Sequence, residues 1–141
     1  MDAEEARVEH LKMIQAVVDR MGMNSFAVRA TAATVAAGLV AVAASAKEPL
    51  ATLGALAIVP LWVIDAYFLL TEREFRDLYN GVRQAAAATP GTPEYFSLDR
   101  PHQRGGIMKG LLPVMLWKTL PLFYFPLITL LTVAGVVFAL R

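Results

Sequence analysis

The chain of 141 residues lacks cysteine, and its only two histidines, His10 and His102, stand far apart. The absence of cysteine excludes disulfides, thiolate metal sites and cysteine nucleophiles, and two distant histidines argue against a metal site of the usual kinds. The sequence also lacks a phosphate-binding glycine loop and a nucleophile–base pair at motif spacing. We therefore expect neither an enzyme nor a bound cofactor.

Charged residues are scarce, at 18%, and the net charge of +1 gives no basic field of the kind that duplex-DNA binders carry. The hydrophobic fraction is 57% and the mean hydropathy is +0.51, whereas about 45–50% apolar residues is usual in soluble domains. The first 25 residues show no cleavable signal pattern, so we expect the first apolar run to be an uncleaved anchor. The composition predicts a single-domain, all-α integral membrane protein.

Residues 61–83, LWVIDAYFLLTEREFRDLYNGVR, begin in an apolar run and end among charges. We predict one helix here that leaves the membrane and continues in water. Its apolar residues follow heptad steps, which predicts packing on another helix: Leu61, Ile64, Phe68, Thr71, Phe75, Leu78 and Val82. Residues 3–26 form a predicted amphipathic helix with the same spacing at Leu11, Ile14, Val18, Met21 and Ser25. We expect these two seams to pair; the alternative is an N-terminal helix lying on the membrane surface.

Two further stretches have the length or composition of membrane spans. Residues 30–46 are uncharged and rich in alanine, and Ala30, Thr34 and Gly38 form a small-xxx-small ridge that lets helices approach closely. This ridge predicts a helix that is central in a bundle or lines an oligomer axis. Residues 119–140 are 22 uncharged residues, enough for a span. Residues 107–117, which contain Lys109 and Pro113, are too short and are predicted to be interfacial or re-entrant.

The predicted organisation has four parts. Residues 1–28 form a cytosolic or interfacial helix, 29–70 a transmembrane hairpin, 71–106 a cytosolic helix and loop, and 107–141 an interfacial segment with the C-terminal span. With three spans, 11 of the 13 lysines and arginines lie on the side of the N-terminus, which the positive-inside rule places in the cytosol. A four-span alternative makes residues 111–140 a hairpin and returns the C-terminus to the cytosol.

Asp65 is an acid within a predicted span, where it costs a few kcal/mol unless it is paired, hydrated or near the interface. One interpretation is structural, with Asp65 hydrated near the interface or paired with Arg29 or Lys118. The other is a ring of carboxylates at the inner mouth of a cation pore. Near the junction of the first helix with its span, Gly22 weakens the helix, and Asn24 and Ser25 are able to pair with backbone or with Asp65. The candidate pore and gate residues are Asp65, Gly38, Thr34 and Asn24.

A second candidate site combines arginines with aromatic residues on the predicted cytosolic side. Guanidinium groups beside aromatic rings suit recognition of a phosphate with a stacked base. The residues proposed for such an anion or nucleotide site are Arg73, Arg76, Arg83, Tyr79, Arg100 and Arg104. The alternative is that these arginines are ordinary positive-inside charges and helix pairs such as Glu72–Arg76.

Four segments resemble a family of small bacterial membrane proteins: HLKMIQAVVDRMGMNSF (10–26), WVIDAYFLLTEREFRDLYNGVR (62–83), YFSLD (95–99) and KTLPLFYFPL (118–127). These proteins are similar to membrane effectors of bacterial anti-phage defence, of which the Hailong-type membrane channel proteins are an example. The resemblance implies an ion channel that a nucleotide oligomer holds closed, and a partner nucleotidyltransferase that makes this oligomer. It assigns no individual binding residue in this sequence.

The leading hypothesis from the sequence is a homo-oligomeric inner-membrane effector, with a tetramer as the expected assembly. It would disrupt the membrane potential and be gated through its cytosolic helices. The alternative function is a non-conducting membrane scaffold whose cytosolic helices bind a partner protein.

Overall fold

The structure is a computed structural model that describes residues 3–46, 50–84, 97–98 and 107–140. Its four helices are α1 (Ala3–Ala46), α2 (Leu50–Gln84), α3 (Ile107–Met115) and α4 (Thr119–Ala139). Strands are absent from the described ranges. Three of the helices, α1, α2 and α4, are long and apolar enough to cross a membrane. The chain is therefore an all-helical protein with three candidate membrane-spanning helices.

The first helix, α1, joins two segments that the sequence suggested as separate parts. It runs for 44 residues without interruption, and it stays helical through Gly22. At 1.5 Å per residue its length is about 66 Å, roughly twice the hydrocarbon thickness of a bilayer. The amphipathic N-terminal part and the alanine-rich part are therefore sections of one rod.

The second helix, α2, has the same two-part character in the opposite order. It spans 35 residues and contains Pro60 and Asp65. Its first part is apolar, and its last part carries the charged sequence TEREFRD and ends at Gln84. The helix remains continuous from the apolar part into the charged part, as the sequence of residues 61–83 predicted.

Helices α1 and α2 pack against each other in two separate clusters. In the charged parts, Ile14 and Val18 of α1 are buried with Phe75 of α2, and Leu78 and Val82 pack around them. These residues belong to the two predicted heptad seams. Ile64, which the sequence put on the same seam, is instead 43% exposed.

The larger cluster lies among the apolar parts and includes α4. Small side chains from α1 meet side chains from α2, α3 and α4, and the buried members are Ala32, Ala36, Ala43, Ile58, Ala66, Val114, Leu120, Tyr124 and Leu131. Gly54 marks a close approach, because a Cβ built on this residue would overlap the side chain of Leu39. Alanine and glycine on α1 and α2 thus let the two backbones come close together.

The short helix α3 covers only nine residues, about 14 Å, and so does not span a bilayer. It contacts α2 at Gly110, where a Cβ would lie 3.2 Å from the methyl groups of Leu70. The chain then turns at residues 116–118 and enters α4, which has 21 residues. Among the described helices, three therefore have the length of a span, and α3 is too short to be a fourth.

Candidate functional site

The candidate site is a polar cluster around Asp65, between the three long helices. The side chain of Asp65 is fully buried, at 0% exposure. Its Oδ1 accepts a hydrogen bond from the Ser25 hydroxyl. Its Oδ2 accepts one from Arg29 Nε at 2.7 Å and another from the Tyr124 hydroxyl at 3.2 Å. Both oxygens of the carboxylate are therefore occupied by donors from α1 and α4.

The regular geometry of the helices places these donors. Ser25 and Arg29 are four residues apart on α1, so they lie on one face, one turn from each other. On the α2 side, Trp62 precedes Asp65 by three residues and stacks on the ring of Tyr124, with centroids 5.7 Å apart and planes at 12°. The stacked ring brings the Tyr124 hydroxyl to Asp65, and this hydroxyl also lies 3.5 Å from the Leu61 carbonyl oxygen.

The cluster lies inside the apolar part of the bundle, near its charged end. Seven positions separate Asp65 from Glu72 on α2, and six separate Lys118 from Tyr124 on α4. At 1.5 Å per residue, the cluster is about 10 Å inward from these charges. A lone carboxylate at this depth is costly, whereas a carboxylate with a guanidinium and two hydroxyl donors is compensated. Arg29 is 30% exposed along its side chain, so one edge of the ion pair still reaches the surface.

Within the single chain, the structure supports the pairing interpretation of Asp65. Of the two cationic partners considered from the sequence, Arg29 is the one in contact. Ser25 is also in contact with Asp65, whereas Asn24 is half-buried. The carboxylate ring of a pore is a property of an oligomer, so that role stays a prediction.

Two other candidate pore residues lie on the opposite side of α1 from this cluster. Thr34 and Gly38 are exposed, and a Cβ on Gly38 would meet no described atom within 4 Å. The Thr34 hydroxyl donates to the Ala30 carbonyl oxygen at 2.9 Å, inside its own helix. The fold of the single chain therefore does not bring Asp65 together with Thr34 and Gly38. The inward face of α1 holds the polar cluster, and the outward face holds the small-residue ridge.

The candidate anion-site residues that the structure describes point to several different partners. The Arg73 guanidinium lies over the Trp117 ring, 4.7 Å from its centroid. Arg76 forms an ion pair with Glu72 at 2.7 Å, one turn away on the same helix. Arg83 is exposed, and Tyr79 is half-buried beside α1. Arg100 and Arg104 lie outside the described residues.

Sequence reasoning missed two aromatic partners. Tyr124 was not considered for Asp65, although a tyrosine hydroxyl inside an apolar span requires a hydrogen-bond partner, and this requirement was a usable signal. Trp117 was not paired with Arg73, and their separation of 44 positions gave no signal for this contact. In the described part of the chain, no group of three or more histidine, aspartate or glutamate side chains is arranged to hold a metal ion.

Comparisons with known proteins do not assign the chain to a family: no family model matches it, and neither a curated protein nor a solved structure does.

Proposed function

We propose that this protein is a homo-oligomeric membrane effector that opens an ion-conducting pore in the bacterial inner membrane and so lowers the membrane potential. The observation that carries the proposal is the outward direction of the small-residue ridge of α1. Ala30, Thr34 and Gly38 are all exposed on the protomer, while the opposite face of α1 is already covered by α2 and α4.

The outward faces of α1 and α4 differ in a way that favours a second copy as the neighbour of α1. On α4 the exposed side chains are large and apolar, such as Leu122, Phe125 and Leu130, and they suit contact with lipid tails. On α1 the exposed side chains between residues 27 and 45 are almost all alanine, threonine, glycine or serine. Lipid offers no hydrophobic contrast, so helices associate in membranes through close packing at small residues.

Small side chains on every protomer would leave room around an oligomer axis. The hydroxyls of Thr31 and Thr34 both bond backbone carbonyls of α1, so they add polarity to this face without leaving donors unsatisfied. A ring of such faces, with a tetramer as the expected assembly, is the arrangement that we propose for the pore.

Gating in this proposal uses the continuity of α1 and α2. Each helix joins a charged part to an apolar part without a break, so a movement of the charged parts is transmitted to the spans. The Asp65 cluster ties α1, α2 and α4 together and would hold the closed arrangement. Opening would loosen this cluster and let Asp65 turn to the inner mouth of the pore.

The orientation and the biological setting belong to the same proposal. The excess of lysine and arginine on the side of the N-terminus supports a cytosolic location for the charged helical parts. The resemblance of four segments to anti-phage membrane effectors supports a role in defence. In that role a nucleotide oligomer, made by a partner nucleotidyltransferase, would bind near the exposed arginines and keep the pore closed.

The test uses two matched glycine variants. Gly38→Leu places a large side chain on the small-residue ridge, and Gly81→Leu makes the same change on the charged part of α2. A Cβ at either position meets no described atom within 4 Å, so neither change should disturb the protomer. Oligomer mass in detergent and a membrane-potential dye in expressing cells are the two measurements. Both are made with and without the neighbouring gene, which this proposal expects to encode the partner nucleotidyltransferase.

We expect the wild type and Gly81→Leu to form oligomers and to depolarise cells when the neighbouring gene is absent. Gly38→Leu should give smaller particles and lose the depolarisation. Depolarisation by Gly38→Leu equal to wild type would contradict the role of the ridge. A wild-type protein that depolarises cells in neither condition would contradict the pore itself.

A groove between the charged parts of α1 and α2 favours a second candidate function, a non-conducting scaffold. The groove has a volume of about 280 Å³ and is lined by Val8, Leu11, Lys12, Gln15 and Tyr79. An apolar floor with polar edges suits a side chain from a partner protein. A scaffold should be harmless to cells, and a photo-crosslinker at Gln15 should capture the partner, whereas an effector should be toxic when released from control.

A further inference from the structure

We infer that Arg73, Trp117 and Lys118 form a binding site for the headgroup of an anionic phospholipid. Arg73 and Trp117 meet where α2 leaves the apolar part of the bundle and α4 begins, and Lys118 directly follows Trp117 in the chain. Arg73 is the second residue of the charged sequence that follows Thr71, and Lys118 directly precedes the first residue of α4. Both cations therefore lie at the level at which an apolar bundle meets lipid headgroups.

The contact between Arg73 and Trp117 gives this site a fixed geometry. The guanidinium lies over the indole ring, with 4.7 Å between its central carbon and the ring centroid. A guanidinium stacked in this way keeps the N–H donors at its edges available, and these donors match the oxygens of a phosphate. Among the described residues, no carboxylate lies within ion-pair distance of Arg73. The nearby Glu72 is already paired with Arg76.

The surroundings of this cation favour a lipid over a soluble anion. Trp117 is 56% exposed, and Leu112, Leu116 and Leu122 on either side of it are more exposed still. These side chains extend the apolar outer surface of α4 down to the level of Arg73. Tryptophan is enriched at the boundary between acyl chains and headgroups. A ligand here contacts an apolar surface and a cation together. An anionic phospholipid matches both, because its acyl chains are apolar and its headgroup carries a negative charge.

This inference concerns the outer, lipid-facing side of the bundle and does not depend on the pore. It also separates Arg73 from Arg76 and Arg83 on α2. Arg76 is exposed and paired within its helix, so it serves as a matched control with the same charge. A basic side chain at the membrane surface whose charge is not offset by a carboxylate raises the local amount of anionic lipid by about fivefold. Glu72 offsets the charge of Arg76 in this way.

Fluorescence of Trp117 reports on this site directly. The chain has two tryptophans, and Trp62→Phe leaves Trp117 as the single emitter. The Trp62 indole nitrogen has no hydrogen-bond partner in the described part of the structure, so phenylalanine removes no hydrogen bond and keeps an aromatic ring beside Tyr124. The full chain is placed in phosphatidylcholine vesicles with a small fraction of phosphatidylglycerol. In one set of vesicles the phosphatidylglycerol carries bromine on its acyl chains near the headgroup, and in the other an equal fraction of phosphatidylcholine carries it.

We expect stronger quenching of Trp117 by brominated phosphatidylglycerol than by an equal fraction of brominated phosphatidylcholine. The fraction of brominated phosphatidylcholine should have to be raised about fivefold to reach the same quenching. Arg73→Gln should remove most of this preference, and Arg76→Gln should preserve it. Added inorganic phosphate should leave the quenching unchanged. Circular dichroism of each variant checks that the helices are intact. If Arg73→Gln fails to insert into the vesicles, Lys118→Gln is the second variant, and it should weaken the preference for phosphatidylglycerol.

Three results would overturn the inference. Equal quenching by the two brominated lipids would show no preference for the anionic headgroup. An equal loss in Arg73→Gln and Arg76→Gln would assign the preference to diffuse charge rather than to this site. Reversal by inorganic phosphate would identify the ligand as a soluble anion.

Discussion

Replacing Arg29 with glutamine should destabilise the folded bundle more than replacing its partner Asp65 with asparagine. The difference follows from the unequal burial of the two side chains. Asp65 is 0% exposed, and Arg29 is 30% exposed. Without Arg29, the carboxylate stays buried with only the two hydroxyls of Ser25 and Tyr124 as donors. Without the carboxylate, Arg29 can extend its guanidinium to the interface.

The magnitudes follow from this asymmetry. Removal of one partner from a buried ion pair costs about 3–5 kcal/mol, and the exposed edge of Arg29 places Arg29→Gln near the lower end, at about 3 kcal/mol. Asp65→Asn loses charge-assisted hydrogen bonds but leaves no buried charge, so we expect about 1.5 kcal/mol. The double variant should cost clearly less than the sum of the two single changes, because the pair is lost only once.

The assay is equilibrium unfolding in mixed micelles with increasing sodium dodecyl sulfate, followed by circular dichroism. Wild type, both single variants and the double variant complete the cycle, and Arg76→Gln serves as a control for a surface ion pair, with an expected cost below about 0.5 kcal/mol. The reasoning would be refuted if Asp65→Asn cost as much as Arg29→Gln, or if the two single effects simply added.

Three further predictions concern packing, hydrogen bonding and conduction. Gly54→Ala should cost about 1–3 kcal/mol in the same unfolding assay, because its Cβ would overlap the side chain of Leu39. Gly38→Ala should be neutral or stabilising by up to about 1 kcal/mol, because a Cβ there meets no described atom. A larger loss for Gly38→Ala than for Gly54→Ala would contradict the close approach of α1 and α2 at Gly54. Tyr124→Phe should cost about 0.6 kcal/mol, the usual strength of a side-chain hydrogen bond between membrane helices, and a loss of several kcal/mol would give this hydroxyl a larger role. Asp65→Asn should reduce cation conductance in planar bilayers if this carboxylate lines the open pore; an unchanged current–voltage curve would remove it from the pore.

The position of the ridge on α1 also shows how the structure redistributes the candidate residues. The sequence grouped Asp65, Asn24, Thr34 and Gly38 as one set of pore and gate residues. In the single chain, Asp65 is buried, and Thr34 and Gly38 are exposed on the opposite side of α1. A role for all of them in one pore therefore requires an assembly of several chains and a rearrangement at Asp65.

The sequence by itself determined the helical class and the continuity of residues 61–83, and it predicted the three candidate spans with a four-span arrangement as the alternative. Hydropathy and the spacing of apolar residues are local properties, and a helix satisfies its own backbone hydrogen bonds whether or not its neighbours are known. The sequence also indicated that Asp65 needs a partner, because an unpaired acid in an apolar span is costly. It left open whether that partner is Arg29 or Lys118.

Only the tertiary structure decided this choice, together with the contact of Tyr124 and the stacking of Arg73 on Trp117. These contacts depend on how far each helix is rotated about its axis and shifted along it relative to its neighbours. Rotation and shift result from the packing of side chains distant in sequence, such as Gly54 against Leu39 and Gly110 against Leu70. The periodicity of one helix defines its faces, and the close fit between helices selects which face turns inward.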